Sequence, residues 1–177
     1  AFRMPVQWVT RHDEGGADVR ALAGRITSGT VQVGDEVVAL PSGATSTVSG
    51  IDVLGEARDS ASAPLSVALQ LATDIDVSRG DVIAPANERP QVATRVKATI
   101  AWLDEAALSA PARLEVRQSA RLVPVIIEEL HERLDLDAMQ HQPADALEVN
   151  DLGIATIMAA QPLVVQPYAE NRELGSM

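Results

Sequence analysis
The chain has 177 residues, 46% hydrophobic and 22% charged, which is enough to bury a core and ordinary for a globular protein. It contains no cysteine, which excludes a disulfide framework, a thiolate metal site and a cysteine nucleophile, and fits a reducing cytoplasm. The net charge of -11 is spread evenly, 7 basic against 12 acidic residues in 1–90 and 7 against 13 in 91–177, so a polyanionic partner such as nucleic acid is disfavoured. The opening "AFRMPVQWVTRHDE" lacks a basic region followed by an apolar one, and no run reaches the roughly 18 apolar residues a membrane span needs.

In chain order, "PVQWVT" at 5–10 predicts a first strand, and "RHDEGGAD" a polar turn built on Gly15 and Gly16. "GRITSGTVQVGDEVVALPSG", Gly24 to Gly43, then places turn signals at Ser28-Gly29, Gly34-Asp35 and Ser42-Gly43 between β-branched runs, so its glycines are expected to reverse strands. "EVVALP" is a continuous apolar strand ended by Pro41, and "TSTVSGIDVLG" supplies another strand. In "ASAPLSVALQLAT", Leu65, Val67, Leu69 and Leu71 alternate on one face, and "SRGDVIAP" turns at Gly80-Asp81 and leaves through Pro85. Short strands at this spacing predict a barrel or sandwich.

"ANERPQVATR" carries two prolines within a polar stretch, which makes 85–92 the expected linker and divides the chain into 1–88 and 89–177. Beyond it "VKATIAWL" predicts a strand, "DEAALSAPA" a connector, and "RLEVRQSARLVPVIIEEL" two strands interrupted at Gln118-Ser119. Charge spacing in "EELHERLDLDAM" would permit a helix, but Val125, Ile126 and Ile127 favour a long strand continuing toward Leu134. The remainder predicts a strand at Leu147 to Val149, a turn at Asn150 to Gly153 with Gly153 free to take a positive φ, and strands at Ile154 to Ala159 and Leu163 to Val165.

The sequence contains no Gly-x-x-x-x-Gly-Lys-[Ser/Thr] loop to cradle nucleotide phosphates and no Gly-x-Ser-x-Gly elbow. His12, His131 and His141 lack metal-ligand spacing and read as exposed side chains. The acidic pairs Asp35-Glu36, Asp104-Glu105, Glu128-Glu129 and Asp135 with Asp137 have the chemistry for a cation or for acid catalysis, yet read more simply as turn or solvent-facing charges. Arg79-Gly80-Asp81 spells an adhesion tripeptide in a chain with no secretory features. Trp8 and Trp102 read as core anchors, one near the start of each half. No catalytic, cofactor-binding or metal-binding residue is assigned.

The pattern Gly24, Ile26, Ser28, Gly29, Val31, Gly34, Asp35, Glu36, Val37 resembles the barrel hairpins of the second domain of translation-factor-type GTPases. With "VVALPSGATSTVSGI", "DIDVSRGDVIA", "ATIAWLDEAALSAPARLEV", "LEVNDLGIATI" and "PLVVQPYAENRELGS", the chain resembles the GTPase subunit of sulfate adenylyltransferase over essentially its whole length. The resemblance implies an all-β fold of two consecutive antiparallel barrels of the elongation factor Tu domain 2 and domain 3 type, residues 1–88 and 89–177. It implies that GTP and magnesium are held by an N-terminal domain outside these residues. The implied partners are that GTPase domain and a separate catalytic subunit, which forms adenosine 5'-phosphosulfate, in the cytoplasm and without nucleic acid or membrane. The resemblance also implies a further apolar strand after the "NR-x-x-GS" block, so the second barrel is expected to lack its closing strand. Pro111-Ala112 stands where that family leads one to expect a glycine-containing turn. Two rival readings stay open: the barrels of an RNA-binding elongation-factor-like GTPase, and a free-standing β-barrel interaction module.

Overall fold
Turn chemistry recurring every few residues leaves no room for a helix, and the computed structural model, which describes residues 1–14, 17–135, 138 and 140–177, contains only strands as regular elements. The residues group into two compact units, one made of Ala1–Val92, Arg117–Arg121 and Val164–Met177, the other of Ala93–Val116 and Leu122–Leu163.

The first unit holds β1 (Met4–Glu14), β2 (Ala17–Arg25), β3 (Thr30–Gln32), β4 (Glu36–Leu40), β5 (Thr45–Val53), β6 (Glu56–Arg58), β7 (Ser60–Ser62), β8 (Ser66–Leu71) and β9 (Val82–Pro85). The strand order is β4-β9-β1-β2-β8-β5, and β5 pairs back onto β4, which closes a six-stranded antiparallel barrel. Closure removes the unpaired edges that an open sheet would expose. Alternate residues point inward, so Met4, Val6, Leu22, Val37, Ala39, Ile51, Val67, Leu69 and Ile83 form one apolar core. Each large side chain so buried contributes about 1.5–3 kcal/mol.

β4 is apolar at every position after Glu36 because both of its faces are covered. Val37 and Ala39 enter the barrel core, whereas Val38 and Leu40, with Val82 and Ala84 of β9, pack outward against Val164 and Leu174 of the C-terminal segment. Hydrogen bonds fix that segment. The buried Gln118 side chain donates to the Val164 carbonyl at 2.8 Å and accepts from the Val164 amide at 3.1 Å. Asn171, also buried, donates from Nδ2 to Thr27 Oγ1 at 2.9 Å and Ser28 Oγ at 3.3 Å.

Four expectations need correction in this unit. β1 runs on to Glu14, so "RHDE" is strand; the expected turn residues Gly15 and Gly16 lie outside the described residues. Gly24 does not reverse the chain but sits inside β2 opposite Val6, where a β-carbon would lie 2.3 Å from the Pro5 carbonyl oxygen. Only glycine tolerates that approach. The Val6/Trp8 pair brackets a β-bulge in β1, which turns Trp8 out to 60% exposure although Val6 two residues earlier is buried. Strict alternation would put both on one face; the extra residue reverses the phase, and Val9 packs against the core instead. Leu65, at 45% exposure, precedes β8 and does not share the face of Val67 and Leu69.

The second unit is built on β10 (Gln91–Ala101), β11 (Leu108–Ser109), β12 (Ala112–Gln118), β13 (Arg121–Asp135), β14 (Gln140–Pro143), β15 (Ala146–Leu147) and β16 (Leu152–Val165). The sheet order is β10-β16-β13-β12, with β14 also on β13 and β11 paired to β15. "EELHERLD" is thus strand, continuous with the apolar run before it. Val123, Val125, Ile127, Ala155, Ile157 and Ala159 are buried on one face of the two central strands.

β16 is one strand where two were expected. β13 supplies ladder partners as far as Ala159, and Gln161, preceding a proline, favours the extended backbone that carries the strand on to Val165. The positive φ of the turn falls on Asn150, at 70°, and not on Gly153. Gly153 lies in β16 opposite Arg133, where a β-carbon would meet Leu147 Cδ2 at 2.5 Å; it is small for reasons of space.

Candidate functional site
The titratable residues singled out from sequence do not converge. His131 is half-buried, with Nε2 at 2.7 Å from Thr156 Oγ1 and Nδ1 at 3.6 Å from Glu129. His141 Nδ1 stands 3.2 Å from Glu132. His12 lies on β1, and its side chain is outside the described residues. The carboxylates mostly cap turns: Asp35 accepts from the Gln32 amide, Asp104 from Ala106, and Asp135 from Ala138. Glu128 pairs with Arg95 at 2.6 Å, while Asp137 lies outside the described residues. Among the described residues, no group of three or more His, Asp or Glu is placed to hold a metal ion.

Arg79-Gly80-Asp81 is tied down as a turn. The Gly80 amide donates to the Val6 carbonyl at 2.7 Å, the Val6 amide donates to the Asp81 carbonyl at 2.8 Å, and Asp81 Oδ2 accepts from the Ser78 amide at 2.8 Å. Burial pushes the Asp81 carboxyl above the ordinary aspartate range, against the Ser78 hydrogen bond and the nearby Arg121 charge, which act to lower it. An aspartate engaged with its own turn is not presented to a receptor.

A groove of about 340 Å³ in the first unit is lined by Arg11, Arg20, Leu22, Ser49, Gln70 and Asp74. Sequence reasoning did not single out Arg20 or Asp74, since their partners are separated by more than fifty residues. Arg20 donates to Asp74 Oδ1 and to the carbonyls of Ile75 and Val77, which fastens the 74–77 loop to β2. The Arg20 hydrogen bond, more than the neighbouring charges of Arg20 and Arg11, holds the Asp74 carboxyl below its usual range. Arg20 is therefore committed to Asp74 and to the protein's own carbonyls.

The "Y-x-x-N-R" block has a structural role. Besides its two donations, Asn171 accepts from the amides of Glu173 and Leu174 at 3.1 Å each, so one side chain folds the C-terminal turn and ties it to Thr27 and Ser28. Arg3 lies beside it, 4% exposed, donating to the Phe2 carbonyl at 2.8 Å and to Gln166 at 3.3 Å. Burial pushes the Arg3 guanidinium below its ordinary value, opposed by the charges of Glu88 and Glu170. Of the two tryptophans, Trp102 is half-buried with Nε1 donating to the Ala106 carbonyl at 2.7 Å, and Trp8 stands exposed beside Val9, Val77 and Arg79.

A closed six-stranded antiparallel barrel joined in sequence to a second antiparallel sheet is the fold of the β domains of elongation-factor-type GTPases. The structure of Sup35 complexed with GMPPNP matches it with a TM-score of 0.85 at 21% identity, over 98% of this chain and 42% of that one. Residues 95–177 match the GTP-eEF1A C-terminal domain-like family. The chain as a whole is 39% identical over 177 residues to sulfate adenylyltransferase subunit 1 of Methylorubrum extorquens (strain PA1), covering 100% of this chain and 37% of that protein. It is 38% identical to the bifunctional enzyme CysN/CysC of Xylella fastidiosa (strain Temecula1), over 99% of this chain and 28% of that enzyme. The chain belongs to the sulfate adenylyltransferase subunit 1 family, and it spans 37% of the length of the Methylorubrum relative. Among the described residues no helix is long and apolar enough to cross a membrane.

Proposed function
We propose that these residues are the two-barrel region of a cytoplasmic GTPase subunit of sulfate adenylyltransferase. In this reading they couple GTP hydrolysis, carried out by an N-terminal domain holding GTP and magnesium, to the formation of adenosine 5'-phosphosulfate by a separate catalytic subunit. The observation that carries the reading is 39% identity along all 177 residues, across both units. A closed barrel is rigid, so it can hold a fixed surface whose position relative to a nucleotide-binding domain differs between nucleotide states. Coupling requires only that the catalytic partner bind those states with different affinity.

The test is a chimera in which these 177 residues replace the matching region of the Methylorubrum subunit, assayed with that organism's catalytic subunit. The chimera is expected to hydrolyse GTP and to retain GTP-stimulated formation of adenosine 5'-phosphosulfate. Hydrolysis at the parental rate with no stimulation of sulfate adenylylation would refute the coupling role. The isolated chain is expected not to bind GTP; binding at micromolar concentration with turnover would equally refute the assignment.

A further inference from the structure
The outward face of four neighbouring strands of the first barrel, β1, β2, β8 and β5, is built from side chains that solvent exposure does not select. In one row across it Trp8 stands opposite Ala23, Ala23 opposite Ala68, and Ala68 opposite Asp52, while the alternate row of Val9, Leu22, Leu69 and Ile51 enters the core. The next outward row, Thr10, Ala21, Gln70 and Gly50, is uncharged. Water-facing positions of an antiparallel sheet are ordinarily polar, so a floor of alanine and glycine needs another reason. The charges at its margin are bound to the barrel's own groups. Asp52 Oδ1 accepts from the Gly55 amide at 2.9 Å, Arg25 Nε donates to the Pro64 carbonyl at 3.3 Å, and Arg58 pairs with Glu56. Arg79 lies on the far side of Trp8, toward β9.

Two large apolar side chains stand at the sides of this floor, each at a cost to the fold. The β-bulge beside Gln7 turns Trp8 out to 60% exposure, and Leu54, at the tip of the β5–β6 hairpin, is 96% exposed with a φ of 56°. A leucine there meets both backbone strain and water, where glycine or asparagine would meet neither. A hollow of about 230 Å³ lies between Leu54, Ala23, Ala68 and Gln7. At about 4.8 Å per strand the backbones at Trp8 and Asp52 are about 14 Å apart, close to the diameter of an α-helix, about 10–12 Å.

We propose that this face seats a helix of the N-terminal nucleotide-binding domain, lying on Ala23 and Ala68 between Trp8 and Leu54. The choice of occupant rests on the function proposed above, which supplies that domain. A floor without free charge suits a neighbour already tethered to the chain, because charge complementarity is what steers a partner arriving from solution. It also disfavours RNA, whose phosphates call for cations. The tether is short. The Ser28 hydroxyl holds the Ala1 carbonyl at 2.7 Å, and seven residues at about 3.3 Å each put Trp8 within about 23 Å of that point. A domain of about 200 residues has a radius of gyration of about 16 Å, so one joined at Ala1 reaches Trp8, at an effective concentration in the millimolar range. More than half of the Methylorubrum relative lies outside the match, which is ample for such a domain. A second copy of this chain offers no helix among its described residues.

Hydroxyl-radical footprinting read by mass spectrometry compares oxidation of Trp8 in this chain and in the chimera described above, loaded with GDP or with GMPPNP and without the catalytic subunit. Oxidation in the chimera is expected to fall at least fivefold in one nucleotide state or both. Ala23→Arg and Ala68→Arg raise long charged side chains from the floor and are expected to restore it. Both point away from the core, so the urea midpoint of this chain should not move, which separates lost seating from lost folding. Trp8 oxidised as fast in the chimera as in this chain, in both states, would overturn the face. GTP-stimulated formation of adenosine 5'-phosphosulfate by the same chimera tells that result apart from failure of the coupling role. Protection that survives both arginine variants would overturn the seat on Ala23 and Ala68. Protection that requires the catalytic subunit or transfer RNA, or that grows with the concentration of this chain alone, would overturn the choice of occupant.

Discussion

Removing the Asn171 side chain tests whether one residue holds the C-terminal segment on the first barrel. Asn171→Ala deletes four hydrogen bonds, two donated to Thr27 and Ser28 and two accepted from the amides of Glu173 and Leu174. The losses are unequal. Thr27 and Ser28 keep donations of their own, to the carbonyls of Arg3 and Ala1, so their hydroxyls are not stranded. Leu174 is fully buried, and its amide is left without that acceptor. A net of about 0.5–1.5 kcal/mol per ordinary hydrogen bond, and about 1–3 for an unsatisfied buried donor, gives a total of about 3 kcal/mol. Hydrogen exchange at the Leu174 and Gly175 amides is the assay, because it reads local opening without requiring both units to unfold together. At about 1.4 kcal/mol per tenfold, exchange there should accelerate about a hundredfold, while amides of β13 are unchanged. Asn171→Asp keeps the acceptor oxygen and is expected to lie between the two. A change below threefold in Asn171→Ala would refute the clasp.

Gly24→Ala is expected to destabilise the first barrel by about 3 kcal/mol or more, since the added carbon would meet the Pro5 backbone oxygen, which cannot rotate away. Gly34→Ala has open space around it and a φ of 96°, so only backbone strain of about 1 kcal/mol is expected; urea unfolding midpoints order the two. Asp81 has a folded-state carboxyl pKa raised above its unfolded value, so the native state binds more protons in the window just above about 3.9. Stability contributed there falls as pH rises through that window, and Asp81→Asn, which keeps an oxygen for the Ser78 amide, should remove this fall in urea unfolding followed against pH. An unchanged pH profile would refute it. Trp8→Ala is expected to change stability by less than about 0.5 kcal/mol, because the bulge already turns the indole into solvent, and a Trp102→Phe variant should show strong acrylamide quenching of the remaining fluorescence.

Strand positions were legible wherever turn residues and period-two alternation coincide, as in "GTVQVGDEVVALPSG", because those signals act within a few residues. The interruption at Gln118-Ser119 was legible too, and Ser119 has a φ of 51°. A single extra residue defeats such reading: the bulge beside Gln7 reversed the phase of Trp8, and nothing in "PVQWV" announces it. The turn expected at Asn150 to Gly153 ends before Leu152, where β16 begins, and its positive φ falls on Asn150; Gly153 is glycine because steric room beside Leu147 also selects that residue.

The sequence by itself determined the all-β character, the barrel hairpins and, through its motif blocks, the family, since local turn chemistry and residue identity are written residue by residue. Tertiary structure alone decided what lies across from what. The outer face of β4 is buried because residues over a hundred positions away return to cover it, and Ile126 stands beside Met158 because antiparallel register sets two strands side by side. Such meetings are fixed by the cost of leaving backbone groups unpaired and apolar surface in water, which the whole chain settles together.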